Sequence, residues 1–329
     1  MIRPRIHIVG AGAFGSALAH VWLSGGLPVK LWCRDPAQAD ALAREGVNPK
    51  VPHCPTLAGI EAGPLRDFGP LTRTEDAVLV MAVKARAQAS VFADLCSQLD
   101  DSCPVITASK GFADAEGHLL SEAVQPPAGL GVLSGPSFSA DLFANRPTAL
   151  TLATTGARSS LVAALSTPLL RLYHSDDPRG VQVCGALKNV IAIACGCADG
   201  MGLGASARSA LMTRGLREIE RVIEAYQGRA RTAAGLAGFG DLALTCQDSQ
   251  SRNHSFGFQI GQGQRAADLL AQGTTVEGAL AALSVKAGSR TARLDLPISH
   301  AVADLVEDRI TPEQLLNRLL ARSHTSDVG

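Results

Sequence analysis

A lysine-asparagine pair, Lys188-Asn189, sits inside a run of small and apolar residues from 181 to 198. The run reads as a buried helix, and a lysine is almost never fully buried without a partner. Burial disfavours the ammonium and brings its pKa down from about 10.4 toward neutrality. Such a lysine exchanges protons near neutral pH, which is the work of a general acid/base. The alternative is a lysine that snorkels to solvent from the helix flank. Further along, Gly238-Phe239-Gly240-Asp241-Leu242 places an acid between small residues and an apolar run, and Ser251-Arg252-Asn253 follows. Together with Lys110 in Ser109-Lys110-Gly111-Phe112, these residues form a set for binding an anion and a hydroxyl. The set holds an arginine fork, amide groups, and a carboxylate to orient a lysine or a substrate hydroxyl. Each member also has a plainer reading. Asp241 suits a helix N-cap, Arg252 a solvated loop, Lys110 a surface turn. Gly135-Pro136-Ser137-Phe138 fixes a tight loop that either presents Ser137 and backbone N–H groups to a ligand or is an ordinary turn.

Arginine dominates the cations; the lysines are Lys30, Lys50, Lys84, Lys110, Lys188 and Lys286. Lysine titrates in proteins and arginine does not, so lysines inside glycine-rich or small-residue motifs are candidates for proton chemistry.

The elements that must position these groups are readable from pattern. Ile6-His7-Ile8-Val9 is a short apolar strand, Gly10-Ala11-Gly12-Ala13-Phe14-Gly15 follows at once, and helical spacing continues to Leu23. Strand, glycine turn and helix together give a G-x-G-x-x-G match its meaning. Gly10 permits the tight turn, Gly12 lets the backbone approach a pyrophosphate, and Gly15 lets the helix pack on the strand. A turn without a ligand is the alternative. A second strand ends at Arg34-Asp35, where a dinucleotide fold reads the ribose. An acid there favours NAD and an arginine pairs with the 2′-phosphate of NADP. Arginine comes first, so the reading leans to NADP, with NAD also compatible.

Further strands read at 77–83, 104–108, 130–133 and 148–153, with helices between several of them. The alternation argues a doubly wound parallel sheet of the Rossmann type. Lys110 then lies beyond the carboxyl end of a strand, where ligands bind in this architecture. After residue 178 the spacing becomes helical: 181–198, 205–226, 265–271, 276–286, 297–305 and 315–321. Thr311-Pro312-Glu313 supplies a cap, a proline at the first helical position and an acidic first turn for the last of these. The reading is α/β: an N-terminal Rossmann domain, 1–178, and an all-helical C-terminal domain, 179–329, with a frayed tail from Ser323.

Composition narrows the function classes. At 329 residues, two domains are the default. Net charge is zero and aromatics are 4%, so neither a basic surface for nucleic acid nor stacking platforms are expected. The first residues lead directly into a strand, with no signal-peptide pattern. No apolar run reaches the roughly 20 residues of a membrane span without a charge or a glycine cluster. The eight cysteines are scattered without a Cys-x-x-Cys pair, which argues against a zinc site and for a reducing cytoplasm.

In order, Gly10-Ala-Gly-Ala-Phe-Gly15, Ser109-Lys-Gly-Phe112, Gly135-Pro-Ser-Phe138, Ala186-Leu-Lys-Asn-Val190, Ala198-Asp-Gly200, Thr213-Arg-Gly215, Gly238-Phe-Gly-Asp-Leu242, Thr245-Cys246, Ser251-Arg-Asn253 and Val276-Glu-Gly278 resemble the bacterial NAD(P)-dependent glycerol-3-phosphate dehydrogenase family. The resemblance runs from about residue 5 to 320. It implies reversible reduction of dihydroxyacetone phosphate to sn-glycerol 3-phosphate for phospholipid synthesis, and usually a homodimer. It places the acid/base lysine on Lys188 and a second substrate lysine on Lys110. Substrate contacts fall on Gly135, Ser137, Asp241, Ser251, Arg252 and Asn253. Cofactor contacts fall on Phe14, Gly15, Arg34, Lys110, Ser139, Arg252 and Glu277. Departures are Phe14 for a common tryptophan, Ser139 for alanine, Ser206 for asparagine, and Asn48-Pro49-Lys50-Val51-Pro52 without the usual tyrosine-leucine pair. A β-hydroxyacid dehydrogenase would share the glycine turn and a helical-domain lysine, but not the second anion site at Asp241 and Arg252-Asn253. An idle NADP-binding regulator would leave Lys188, Lys110 and Asp241 without a role.

Overall fold

The computed structural model describes residues 3–71, 77–155, 159–273 and 275–320. β1 (Arg5–Val9), α1 (Ala13–Ser24), β2 (Val29–Cys33), α2 (Pro36–Glu45), β3 (Glu61–Pro64) and β4 (Ala77–Met81) come first. α3 (Gln88–Leu95) precedes β5 (Val105–Thr107), α4 (Leu120–Ala123) precedes β6 (Leu130–Ser134), and α5 (Ser139–Phe143) precedes β7 (Thr148–Ala153). α6 (Ser159–Leu165) and β8 (Leu170–Ser175) complete a sheet ordered β3-β2-β1-β4-β5-β6-β7-β8. β4 and β6 are buried at every residue, as expected for central strands covered on both faces. β1 pairs with β2 on one side and β4 on the other. That reversal opens the crevice at the carboxyl ends of the strands where ligands bind.

The expectation of a parallel sheet holds from β3 to β6 and then changes. β7 runs antiparallel to β6, and β8 is parallel to β7. β3 and β8 are not expected from the sequence reading. β3 reads Glu-Ala-Gly-Pro, without β-branched or aromatic side chains. β8 is the outermost strand, and its alternation of apolar and polar residues, half of them facing solvent, is the available signal of a half-buried strand.

Among the described residues no strand follows β8. The remainder is α7 (Pro178–Gly200), α8 (Gly204–Ala225), α9 (Asp241–Gln247), α10 (Arg252–Gly261), α11 (Ala266–Ala271), α12 (Glu277–Ala287), α13 (Pro297–Val306) and α14 (Pro312–Leu320). The anticipated frayed tail lies outside the described residues. Asp177 starts α7: its side chain accepts a hydrogen bond from the Gly180 N–H at 2.9 Å, and Pro178 takes the first helical position. By length and composition α7 is the one described helix that could cross a membrane, yet other parts of the chain bury it along its whole apolar length. It is the axle of the helical region. α10 lies against it through a seam of small residues. A Cβ at Gly196 would stand 2.0 Å from the His254 carbonyl oxygen, and one at Gly257 would stand 2.1 Å from that of Ile193. No side chain fits there, so the two backbones meet directly. Six of the eight cysteines are buried.

Candidate active site

Three side chains from distant parts of the sequence meet under the crevice. The Lys188 ammonium, on α7, donates to Oδ1 of Asp241 at 2.6 Å. The Lys110 ammonium, beyond β5, donates to Oδ2 of the same carboxylate at 2.6 Å and to the Gly135 carbonyl at 3.0 Å. Asp241 is 1% exposed, Lys188 7% and Lys110 14% at the side chain. A buried carboxylate requires pairing, and here each oxygen has a cation. Asp241 is therefore not a helix cap. It is the first residue of α9, reached through a single π-helical turn, Leu236–Gly240.

Lys188 has a second contact, to a residue that sequence reasoning gave no role. Its ammonium donates to Oγ1 of Thr245 at 2.7 Å, while that hydroxyl donates to the Asp241 carbonyl at 2.6 Å. The spacing of four from Asp241 was the available signal, because it puts Thr245 on the same face of a helix. Asp241 and Thr245 accept two of the three ammonium protons, leaving one for a ligand. Burial pushes the Lys188 pKa down to about 8; the Asp241 carboxylate opposes that fall, and the Lys110 charge adds to it.

The open side is a cleft of about 620 Å³, within the usual range for small-molecule sites. Of the six lysines, Lys84, Lys110 and Lys188 line it, and so do Phe14, Ser137, Ser139, Ser251, Arg252, Asn253 and Glu277. Ser251 caps α10, accepting from the His254 N–H at 3.2 Å, so the start of that helix forms part of the wall. Helix starts present free N–H groups to anions. Arg252 is exposed and, among the described residues, forms no ion pair. The Asn253 amide donates to Asn189 Oδ1 and accepts from the Gly278 N–H, both at 2.9 Å, which ties α10 to α7 and α12. Asn189 is thus a second residue to which the sequence reading gave no separate role. Burial holds the Glu277 carboxyl above its usual range, against the pull of Arg252 and the cleft lysines.

The remaining candidates are placed differently. Gly135 and Asp241 stand behind the cleft wall, supporting Lys110. Gly10 and Gly15 shape the turn: a Cβ at Gly15 would lie 2.0 Å from the Gly10 oxygen, and Gly10 holds φ at +110°. Gly12 lines the cleft, and a Cβ there would meet nothing within 4 Å. The opening over its backbone is the space a pyrophosphate needs, and four cations face that cleft. The residues present fit a dinucleotide and a small phosphorylated substrate. Arg34 lies beyond β2 on the surface, apart from the cleft wall.

Comparison with known proteins agrees with this geometry. Residues 5–159 match the family model described as NAD-dependent glycerol-3-phosphate dehydrogenase N-terminus, and residues 177–317 match its C-terminus. The chain is 41% identical to a glycerol-3-phosphate dehydrogenase [NAD(P)+] of Gluconobacter oxydans, with 99% of each chain covered. It is also 41% identical to the like-named protein of Alkalilimnicola ehrlichii, with 98% of each covered. The solved glycerol-3-phosphate dehydrogenase of Coxiella burnetii superposes with a TM-score of 0.86 at 34% identity, covering 97% of this chain and 99% of that one. With its glycine turn, its twin-lysine carboxylate and both halves matched, the chain belongs to the NAD-dependent glycerol-3-phosphate dehydrogenase family.

Proposed function

We propose that this chain is an NAD(P)-dependent sn-glycerol-3-phosphate dehydrogenase that interconverts dihydroxyacetone phosphate and sn-glycerol 3-phosphate. The observation that carries the reading is Lys188, buried on Asp241 beside Lys110 and opening on the cleft that holds Arg252. When bound, NAD(P)H supplies the hydride for C2 of the substrate. The ammonium of Lys188 gives its free proton to the C2 oxygen as that oxygen gains charge, and the neutral amine takes a proton back in the oxidative direction. Lys110 has two of its three N–H groups committed, to Asp241 and Gly135, and offers the third to the same oxygen. Asp241 keeps both lysines in place.

Arg252, Asn253, Ser251 and the start of α10 hold the phosphate, since a guanidinium fork matches phosphate oxygens. Ser137 borders the substrate, and the Gly135 carbonyl holds Lys110 against it from behind the wall. Gly12, Phe14, Ser139 and Glu277 border the cofactor, and Arg34 receives the 2′-phosphate, so NADP is the favoured form and NAD is accepted. Residues 1–178 and 179–329 form the two domains, with substrate held between them. The expected setting is a cytoplasmic homodimer that supplies glycerol 3-phosphate for phospholipid synthesis.

The test is oxidation of reduced nicotinamide with dihydroxyacetone phosphate and with a panel of oxoacids. Turnover confined to the phosphorylated ketone is expected. Preference for an oxoacid would overturn the reading in favour of a β-hydroxyacid dehydrogenase.

A further inference from the structure

The end of β2 carries charges of both signs, and their arrangement bears on cofactor choice. Asp35 is the residue that would select NAD if its carboxylate were free to take both ribose hydroxyls. It is not free. Oδ1 accepts from the Ala37 N–H at 3.0 Å as the cap of α2, and Oδ2 pairs with the Lys50 ammonium at 2.6 Å.

Lys50 is held in this place by its neighbour. Asn48 is buried, and its amide donates to the Ala11 carbonyl at 3.1 Å and to Ser16 Oγ at 2.8 Å. Its Oδ1 accepts from Gln38 Nε2 at 2.9 Å and from the Lys50 N–H at 3.1 Å. The Lys50 backbone is therefore bolted to the glycine turn and to α1, although its side chain is 54% exposed. The ammonium spends one of its three N–H groups on Asp35, so it can keep that carboxylate neutralised and still donate to a doubly charged phosphate. Arg34, also exposed, adds a second positive charge beside Asp35.

We propose that Lys50 is a specificity-determining residue for NADP: it cancels Asp35 and, with Arg34, pairs with the 2′-phosphate. This rests on the preference for NADP stated above.

Binding of cofactor fragments tests it without turnover. Calorimetric titration compares 2′,5′-ADP, which carries the 2′-phosphate, with 5′-AMP, which does not. Wild type is expected to bind 2′,5′-ADP more tightly. Lys50→Ala should weaken 2′,5′-ADP by roughly tenfold or more, as for a lost charge-assisted bond, and leave 5′-AMP within about twofold. Lys50→Arg should restore most of the difference, which a purely structural role would not require.

The double variant Lys50→Ala/Asp35→Asn separates contact from masking. It should stay weak for 2′,5′-ADP, and a return to wild-type affinity would overturn the direct contact. Equal weakening of both fragments in Lys50→Ala, or no weakening, would overturn the proposal outright. A wild type indifferent to the 2′-phosphate would instead overturn the preference for NADP on which it rests.

Discussion

Lys188 and Asp241 stand 53 residues apart in the chain and 2.6 Å apart in space, both buried. Neither is tolerable alone in that position, since an unpaired buried charge costs several kcal/mol. Their pairing leaves one ammonium proton facing the cleft, and the consequences of that arrangement can be measured.

Lys188→Ala deletes the proposed proton donor. Lys188→Ala should lower kcat by about 10²–10⁴-fold, the usual contribution of general acid–base catalysis. NADPH affinity, measured by fluorescence titration, should stay near wild type. A variant that keeps wild-type kcat would refute the assigned role.

The pH profile follows from the direction of each influence on Lys188. Its pKa is pushed down to about 8. Reduction needs the ammonium, so kcat should fall as pH rises through about 8; oxidation needs the amine and should climb through the same range. Asp241 favours the ammonium and Lys110 opposes it. Asp241→Asn should therefore move the limb to lower pH, and Lys110→Met should move it to higher pH. Shifts of the same sign in both variants would show that another group sets the profile.

Arg252 is expected to earn its place through the phosphate, which does not react. Its binding energy then serves orientation at C2 as well as capture. Arg252→Ala should lower kcat/KM for dihydroxyacetone phosphate far more than for unphosphorylated dihydroxyacetone. Arg252→Lys should recover only part, because an ammonium lacks the planar fork. NADPH affinity is measured in the same variants, since Arg252 lines the same cleft as the proposed cofactor residues. An unchanged ratio between the two substrates would remove Arg252 from the phosphate site.

For the cofactor, Arg34→Ala should raise KM for NADPH by about 10- to 150-fold, the range for a lost charge-assisted hydrogen bond. KM for NADH should move much less. Equal effects on both would mean that Arg34 does not meet the 2′-phosphate.

The seam between α7 and α10 gives a stability prediction. Gly257→Ala places a methyl 2.1 Å from the Ile193 carbonyl oxygen, and backbone on both sides cannot yield as a side chain would. Overpacking of this kind costs about 1–3 kcal/mol, and the Tm should fall on the order of 5 °C. Because α10 carries Arg252 and Asn253, KM for the phosphorylated substrate should rise as well. A Tm equal to wild type in differential scanning fluorimetry would contradict the tight seam.

The amino-acid sequence alone determined the parts that local rules govern. Gly10, Gly12 and Gly15 between an apolar strand and a helix announce a dinucleotide turn, since only that local order uses all three glycines. The long run around Lys188 announces a buried helix, and the lysine is indeed buried on it. The major helices after residue 178 follow from their spacing.

Only the tertiary structure decided what depends on contacts remote in the chain. β7 reverses direction against β6, and β3 joins the edge by pairing with β2 although its own propensity is weak. Helices α9 and α10 both pack on α7; α9 has seven residues, and α10 carries two glycines and several polar residues that weaken its own helical signal. Asp241 could have capped a helix; the burial of two lysines around it made it their shared counter-ion instead. Thr245 and Asn189 entered the site through that same packing. Asp35 kept its cap but lost its freedom to Lys50, fifteen residues later in the sequence, because the buried Asn48 bolts that loop to the glycine turn.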